Sequence, residues 1–200
     1  MIEGLVHYWS FKYSLNDLVS GVPLSLEENA KTTEDKYGQA NSAIKFDHSK
    51  GMLPSGDYFA KEFTICFWAN FHELVQSTIM YFSNNLKEDR IFIHVKNDLK
   101  LRFSIRNSPL EFVTYIDIDE NKIAVDKWNH YAYTIEGNKA KIYMNGVLQQ
   151  ELGFLAGRKY IPAVRVTNYF GNGNSKVSLA DILIFSKALT DKEILYISRA

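Results

Sequence analysis

The sequence predicts an all-β protein: a two-sheet antiparallel jelly-roll sandwich with a short C-terminal helix. Three observations carry this. Short runs rich in aromatic and β-branched residues recur along the chain, with Gly, Asn, Asp, Ser or Pro between them. Residues 128–150 read as three consecutive antiparallel strands joined by two minimal turns, Gly137-Asn138 and Asn145-Gly146, both pairs that tolerate the positive φ a two-residue hairpin needs. One helix is well signalled, and it is terminal: Thr190 with Glu193 three residues on forms a capping box, and Leu189 and Ile194 stand at hydrophobic-staple positions.

Taken in order, residues 5–11 (LVHYWSF) form a first strand, and Asn16-Asp17 with Ser20-Gly21 mark a loop. The polar segment 27–36 reads as a surface excursion. In 43–47, alternation puts Ile44 and Phe46 on one face, and Gly51, Pro54 and Gly56 punctuate before Tyr58-Phe59. Residues 63–71 are apolar or aromatic on both faces, as a central strand covered on both sides requires. Strands at 78–82, 90–95 and 99–105 follow. In LKLRFSIR, Leu99, Leu101, Phe103 and Ile105 form a dry face; Lys100, Arg102, Ser104 and Arg106 form a wet one. Residues 112–118 and 164–167 are further strands. The stretch 168–174, NYFGNGN, reads as a loop too rich in Gly and Asn for regular structure, and 177–185 closes the sheet.

At 200 residues and 46% hydrophobic content, the chain can fill one sizeable core, and a single domain over 1–200 is expected. Lys plus Arg and Asp plus Glu are 23 each, so no net field draws nucleic acid or an anionic membrane. No apolar run is long enough to span a bilayer, so no membrane insertion is expected. Cys66 is the only cysteine, which excludes an internal disulfide and a CxxC metal site; it reads as a packed, inert thiol. A chain without disulfides fits a reducing compartment, a phage or bacterial origin, or an extracellular module large enough to do without them. The N-terminus lacks the basic region and apolar core of a signal peptide, so an exported form takes its signal from outside this chain.

Several segments resemble the laminin-G-like jelly-roll domains, relatives of the concanavalin A-like lectins, pentraxins and glucanases. Leu5 to Phe11 with Asn16-Asp17 looks like the family's opening strand and short loop, and Lys36-Tyr37-Gly38-Gln39-Ala40 with Phe46-Asp47 is similar to its Gly-x-Ala-x-x-Phe-Asp segment. Phe63-Thr64-Ile65-Cys66-Phe67-Trp68 resembles its tryptophan-bearing strand, Trp128 to Gly146 its hairpin, and Ala180 to Phe185 with Ala188-Leu189-Thr190 its closing strand and helix turn. The resemblance implies an extracellular or surface-associated module of a larger protein. It also implies one structural calcium ion, with Asp17, Asp181 and carbonyls of the adjacent loops as ligands. Turn chemistry alone offers the alternative that Asp17 makes an Asx turn and Asp181 stabilises a strand bend.

Sugar recognition needs aromatic faces for the apolar side of a ring, and Asn, Asp or Arg for hydroxyls. Asn168, Tyr169, Asn172 and Asn174 give that composition in one rim loop, and Asn84, Asn85 and Arg90 in another; each is also ordinary turn chemistry. The nearest carboxylate set is Asp117, Asp119 and Glu120, which lacks the Glu-x-Asp-x-x-Glu spacing of glycosidase relatives and reads as a solvated acidic loop. The five histidines do not fall at metal-ligand spacing. The leading expectation is a non-catalytic module that binds a glycan or glycoprotein surface. The competitor is a protein-interaction or architectural module contacting another protein domain, and a glycosidase-like enzyme comes third.

Overall fold

The computed structural model describes residues 3–84, 89–108 and 111–200. Thirteen strands follow one another before a single α-helix: β1 (Leu5–Trp9), β2 (Ser25–Leu26), β3 (Lys31–Thr33), β4 (Ala43–Leu53), β5 (Phe63–Phe71), β6 (Ser77–Ser83), β7 (Arg90–Val95), β8 (Leu101–Ser108), β9 (Glu111–Ile118), β10 (Trp128–Glu136), β11 (Lys139–Met144), β12 (Val147–Gly153), β13 (Thr167–Phe185) and α1 (Asp191–Ile197). All pairings are antiparallel, in the order β12-β11-β10-β5-β13-β6-β7-β8-β9, with β1 and β4 also on β13.

The long β13 belongs to both halves of the sandwich. Its first part pairs with β6 through Thr167 to Phe170; its second part pairs with β5 and β1. The core lies between the halves: Phe63, Ile65, Phe67 and Phe71 of β5 share one apolar cluster with Ile91, Ile93, Phe103, Ile105 and Ile116 of β7 to β9. Phe103 stacks on Tyr133 within it. On the other side of β5 and β10, α1 covers a smaller cluster of Cys66, Ala132, Tyr143, Leu189, Ile194 and Ile197. Burial pushes the Cys66 thiol up, so it stays protonated and inert.

Both turns of the β10–β12 meander form as expected, with Asn145 at φ 52° and Gly146 at φ 78°. The capping box is present at α1: the Glu193 backbone N–H donates to Thr190 Oγ1, and Thr190 N–H donates back to the Glu193 carboxylate.

Several sequence expectations change. Leu99, expected on a dry strand face, lies exposed in the turn before β8 at φ 61°. Of the strand expected at 164–167 only Thr167 belongs to one, with Arg165 in an isolated bridge to Gly56. Residues 168–174 are strand rather than loop, and the reason is Gly171. It sits at φ 68° with Phe46 and the Ser49 carbonyl so near that a Cβ would lie 2.7–2.8 Å from them. The glycine lets β13 stay against β4 instead of ending the strand. Gly51 is likewise inside β4, where Leu24 and Leu26 pack on it. The excursion at 27–36 contains β3, which pairs with the start of β4.

Candidate functional site

Period-two alternation in β6 to β9 sends Ile91, Ile93, Leu101, Phe103 and Ile105 into the core and the intervening residues outward. Register then sets these outward residues in a row. Tyr169 of β13 lies opposite Tyr81, Tyr81 opposite Phe92, Phe92 opposite Ser104, and Ser104 opposite Tyr115. Tyr169 and Tyr81 stack at 4.9 Å, Phe92 meets Tyr81 edge-on at 5.7 Å, and His94 stacks on Phe92 at 4.0 Å. Cations lie over the rings: Lys50 on Tyr169 at 5.6 Å, Arg90 on Phe92 at 5.4 Å, Arg102 on Tyr115 at 4.3 Å and Arg106 on Phe112 at 3.7 Å. Aromatic side chains with only two side-chain torsions, held by one another, form a rigid platform.

The charges on this face are arranged in pairs and in opposition. Arg102 donates from two nitrogens to both Asp117 oxygens at 2.7 and 2.8 Å. Arg90 stands directly across from Arg106, a like-charge arrangement that costs stability in a sheet. Burial first, then Arg90 and Arg102, hold the Arg106 guanidinium below its ordinary range. Burial and the facing Arg102, offset in part by Asp117, push His94 down to about 4, so its imidazole is neutral at pH 7.

His130, under Trp68 on the other sheet, is pushed down to about 3 by burial and then by Lys36. Both histidines titrate near 6.5 once unfolded. Below that value the unfolded chain binds more protons, so stability is full above pH ~6.5 and falls as pH drops toward the folded values. His94 alone withdraws roughly 3 kcal/mol by pH 4, at 1.36 kcal/mol per unit. Urea melts from pH 7 to 4 check this, and His94→Gln is expected to flatten part of the slope.

Of the residues singled out from the sequence, the structure brings Tyr169 and Arg90 together on this face, close enough for Arg90 to act on the Tyr169 phenol. Asn168 is fully buried, its amide donating to the carbonyls of Pro54 and Arg165, so it offers nothing to a ligand. Asn172 and Asn174 hold a bulge of β13: Asn174 N–H donates to Asn172 Oδ1, and Asn172 N–H donates to Ser175 Oγ. Asn84 closes the end of β6 through its N–H to the Asp89 carbonyl. Asn85 lies outside the described residues. Sequence reasoning missed Tyr81, Phe92 and Tyr115; the alternation that exposed Arg102 and Arg106 would have found Phe92 and Tyr115 if extended to 90–95 and 112–118, while β6 is buried throughout and carries no such signal for Tyr81.

The carboxylates expected to hold calcium are engaged otherwise. Asp17 is buried; its Oδ1 accepts the N–H groups of Tyr8 and Val19 at 2.8 Å, and its Oδ2 accepts from Ser20 and His7. Burial alone would raise the Asp17 carboxyl, but the donors from Ser20, Tyr8, Val19 and His7 outweigh it and hold it below its usual range. Asp181 accepts from Tyr8 Oη at 2.8 Å and from the Lys36 ammonium at 2.7 Å. Calcium takes six to eight oxygens. Among the described residues no three His, Cys, Asp or Glu converge as metal ligands, and the Lys36 ammonium pairs with Asp181, so a calcium ion there would have to displace that ammonium and draw on backbone carbonyls. The acidic stretch is also ion-paired: Asp117 with Arg102, and Asp119 with Lys100 at 3.1 Å.

A comparison with curated proteins finds no match. Solved structures share the fold. Domain 4 of an extracellular arabinanase from Geobacillus stearothermophilus, in complex with arabinotriose, is 18% identical with a TM-score of 0.77, covering 97% of this chain and 98% of that one. The receptor binding domain of botulinum neurotoxin mosaic serotype C/D is 16% identical with a TM-score of 0.80, over 98% of this chain and 50% of that one. The binding domain of botulinum neurotoxin DC, in complex with rat synaptotagmin II, is 18% identical with a TM-score of 0.77, over 98% and 51%. The chain therefore spans about half the length of the neurotoxin binding domains. Residues 40–195, most of the chain, match a laminin-G family model described as concanavalin A-like lectin/glucanases superfamily. With the jelly-roll sheet order and the capped closing helix in place, the chain belongs to that superfamily through its laminin-G-like family.

Proposed function

We propose that this domain is a non-catalytic glycan-recognition or adhesion module that binds carbohydrate across the aromatic face of β13 and β6 to β9, rather than through rim loops alone. The observation that carries the reading is the registered row Tyr169, Tyr81, Phe92 and Tyr115, bordered by the Arg102–Asp117 pair. The exposed Tyr115 and the part-exposed Phe92 and Tyr169, backed by the buried Tyr81, suit the C–H faces of a saccharide, and a fixed guanidinium beside a carboxylate suits its hydroxyls. An arabinotriose-bound domain and receptor-binding domains share the fold, which agrees with this reading. An ion-paired acidic stretch supports a binding rather than a hydrolytic role. The module acts at a cell surface or in secretion, as part of a larger protein, and needs no calcium.

A second reading, docking of another protein, is favoured by one feature. Strand β12 is an edge on which Val147, Leu148 and Leu152 are exposed. A neutral-glycan array, run with calcium and then with chelator, separates the readings. Defined hits that persist in chelator, with an unchanged melting temperature, are the expected result. A blank array moves the function to protein docking, and hits or stability that vanish with chelator overturn the calcium-free reading.

A further inference from the structure

A second cleft lies on the opposite side of the sandwich. Trp68 projects from β5 on the side of Cys66, away from the main core, and emerges beside α1. There it joins Tyr8, Lys36, Tyr37, Asp181 and Tyr196 around a hollow of about 360 Å³. Tyr37 and Tyr196 are 69% and 70% exposed, the largest exposures of any aromatic ring after Tyr13. Two such rings flanking one cleft are costly surface for a folded domain and useful surface for a ligand.

The cleft is built before any ligand arrives. The Asp35 carboxylate accepts the N–H groups of Tyr37 and Gln39, and Gly38 N–H closes on the Asp35 carbonyl, so the loop that presents Tyr37 is fixed. Asp181 sits at φ 47° in a bulge of β13 between Ala180 and Leu183. Bulges of this kind re-aim a side chain, and here the carboxylate meets Tyr8 Oη and Lys36 Nζ. The Lys36 ammonium also lies 4.7 Å from the Trp68 ring and 4.8 Å from Tyr37.

These contacts select one ligand class. A cationic ligand at Trp68 or Tyr37 would meet the like charge of the Lys36 ammonium that already lies over those rings. An anion would meet the Asp181 carboxylate, which already balances the Lys36 ammonium, and would have only Lys12 as a further cation among the described lining residues. A wholly apolar segment would strip water from the Lys36–Asp181 pair without replacing its hydrogen bonds. A neutral sugar ring meets every demand: its C–H face lies on Tyr37 or Tyr196, and vicinal hydroxyls donate to the remaining lone pairs of Asp181 and accept from the remaining protons of Lys36. We propose that this cleft is a second saccharide site, for neutral sugars, making the domain bivalent with binding surfaces on its two opposite faces. It stands independently of the aromatic face, and two sites on one domain raise avidity for a multivalent glycan without new contacts.

The test is amide and indole chemical-shift mapping of the labelled domain with arabinotriose, cellotriose, mannotriose and N-acetylchitotriose. At least one probe is expected to shift residues 35–39, the Trp68 indole and Asp181. Tyr37→Ala and Tyr196→Ala, both at exposed positions, should each weaken that response tenfold or more while the melting temperature holds. Shifts around Tyr115 and Tyr169 should persist in both variants. Absence of cleft shifts with every probe, or cleft shifts indifferent to both substitutions, overturns the second site. Cleft shifts without any response at Tyr115 support the second site and overturn the aromatic-face reading alone; silence at both places overturns both.

Discussion

Asp89→Ala is expected to destabilise the protein by about 3–5 kcal/mol, more than Arg165→Met does. The Arg165 side chain is completely buried, and its Nη1 donates to Asp89 Oδ1 at 2.6 Å and to the Asp89 carbonyl at 3.2 Å. Asp89 is its only ion-pair carboxylate among the described residues, and the Asp89 side chain is 15% exposed. Removing the carboxylate strands a guanidinium in the interior, where charge is expensive. Replacing the guanidinium with a thioether removes that charge instead and leaves a carboxylate that water can reach. Urea melts of both variants check the order, and a larger loss in Arg165→Met would contradict it.

Gly171→Ala is expected to cost about 4 kcal/mol. Roughly 1–3 kcal/mol comes from holding a side-chain-bearing residue at positive φ, and roughly 1–3 kcal/mol from forcing a methyl into packed surroundings. The new Cβ would lie 2.7 Å from the Phe46 ring and 2.8 Å from the Ser49 carbonyl, and a backbone oxygen held in the β4–β13 ladder cannot move aside. The comparison is Gly173→Ala, where no atom lies within 4 Å and φ is not in the left-handed region. Thermal melts should separate the two clearly. Equal losses would mean that β13 does not run past Phe46 as described.

That same glycine shows where the sequence was readable and where it was not. The Asn145-Gly146 and Gly137-Asn138 turns, the capping box at Thr190 and the β10–β12 meander are local devices, and local chemistry identified them. Gly51 and Gly171 look identical to turn glycines in the sequence, yet each is there because a distant side chain packs on its backbone: Leu24 in one case, Phe46 in the other. The result was a loop expected at 168–174 where a 19-residue strand runs. The Asx turn offered for Asp17 is present, since Val19 N–H donates to its Oδ1, and the further donors from Tyr8 and His7 come from elsewhere in the chain, where turn chemistry could not see them.

The candidate site was legible only in part for the same reason. Tyr169 and Arg90 were chosen for loop composition, and they share a face because β13, β6 and β7 are neighbours in a sheet order no single segment encodes. Asn168 had an equally suitable composition. Its position one residue earlier in a strand turns it inward, where its amide holds Pro54 and Arg165.

The most direct measurement is a calorimetric titration of the strongest array hit into the wild-type domain and into Tyr115→Ala and Tyr169→Ala. Tyr115 is 38% exposed beside Arg102, and Tyr169 stands part-exposed between Tyr81 and Lys50, so both lie where a ligand on this face would touch them. Each variant is expected to weaken binding tenfold or more, about 1.4 kcal/mol or above, with the chelator making no difference. Full affinity in both variants would contradict glycan recognition on the aromatic face.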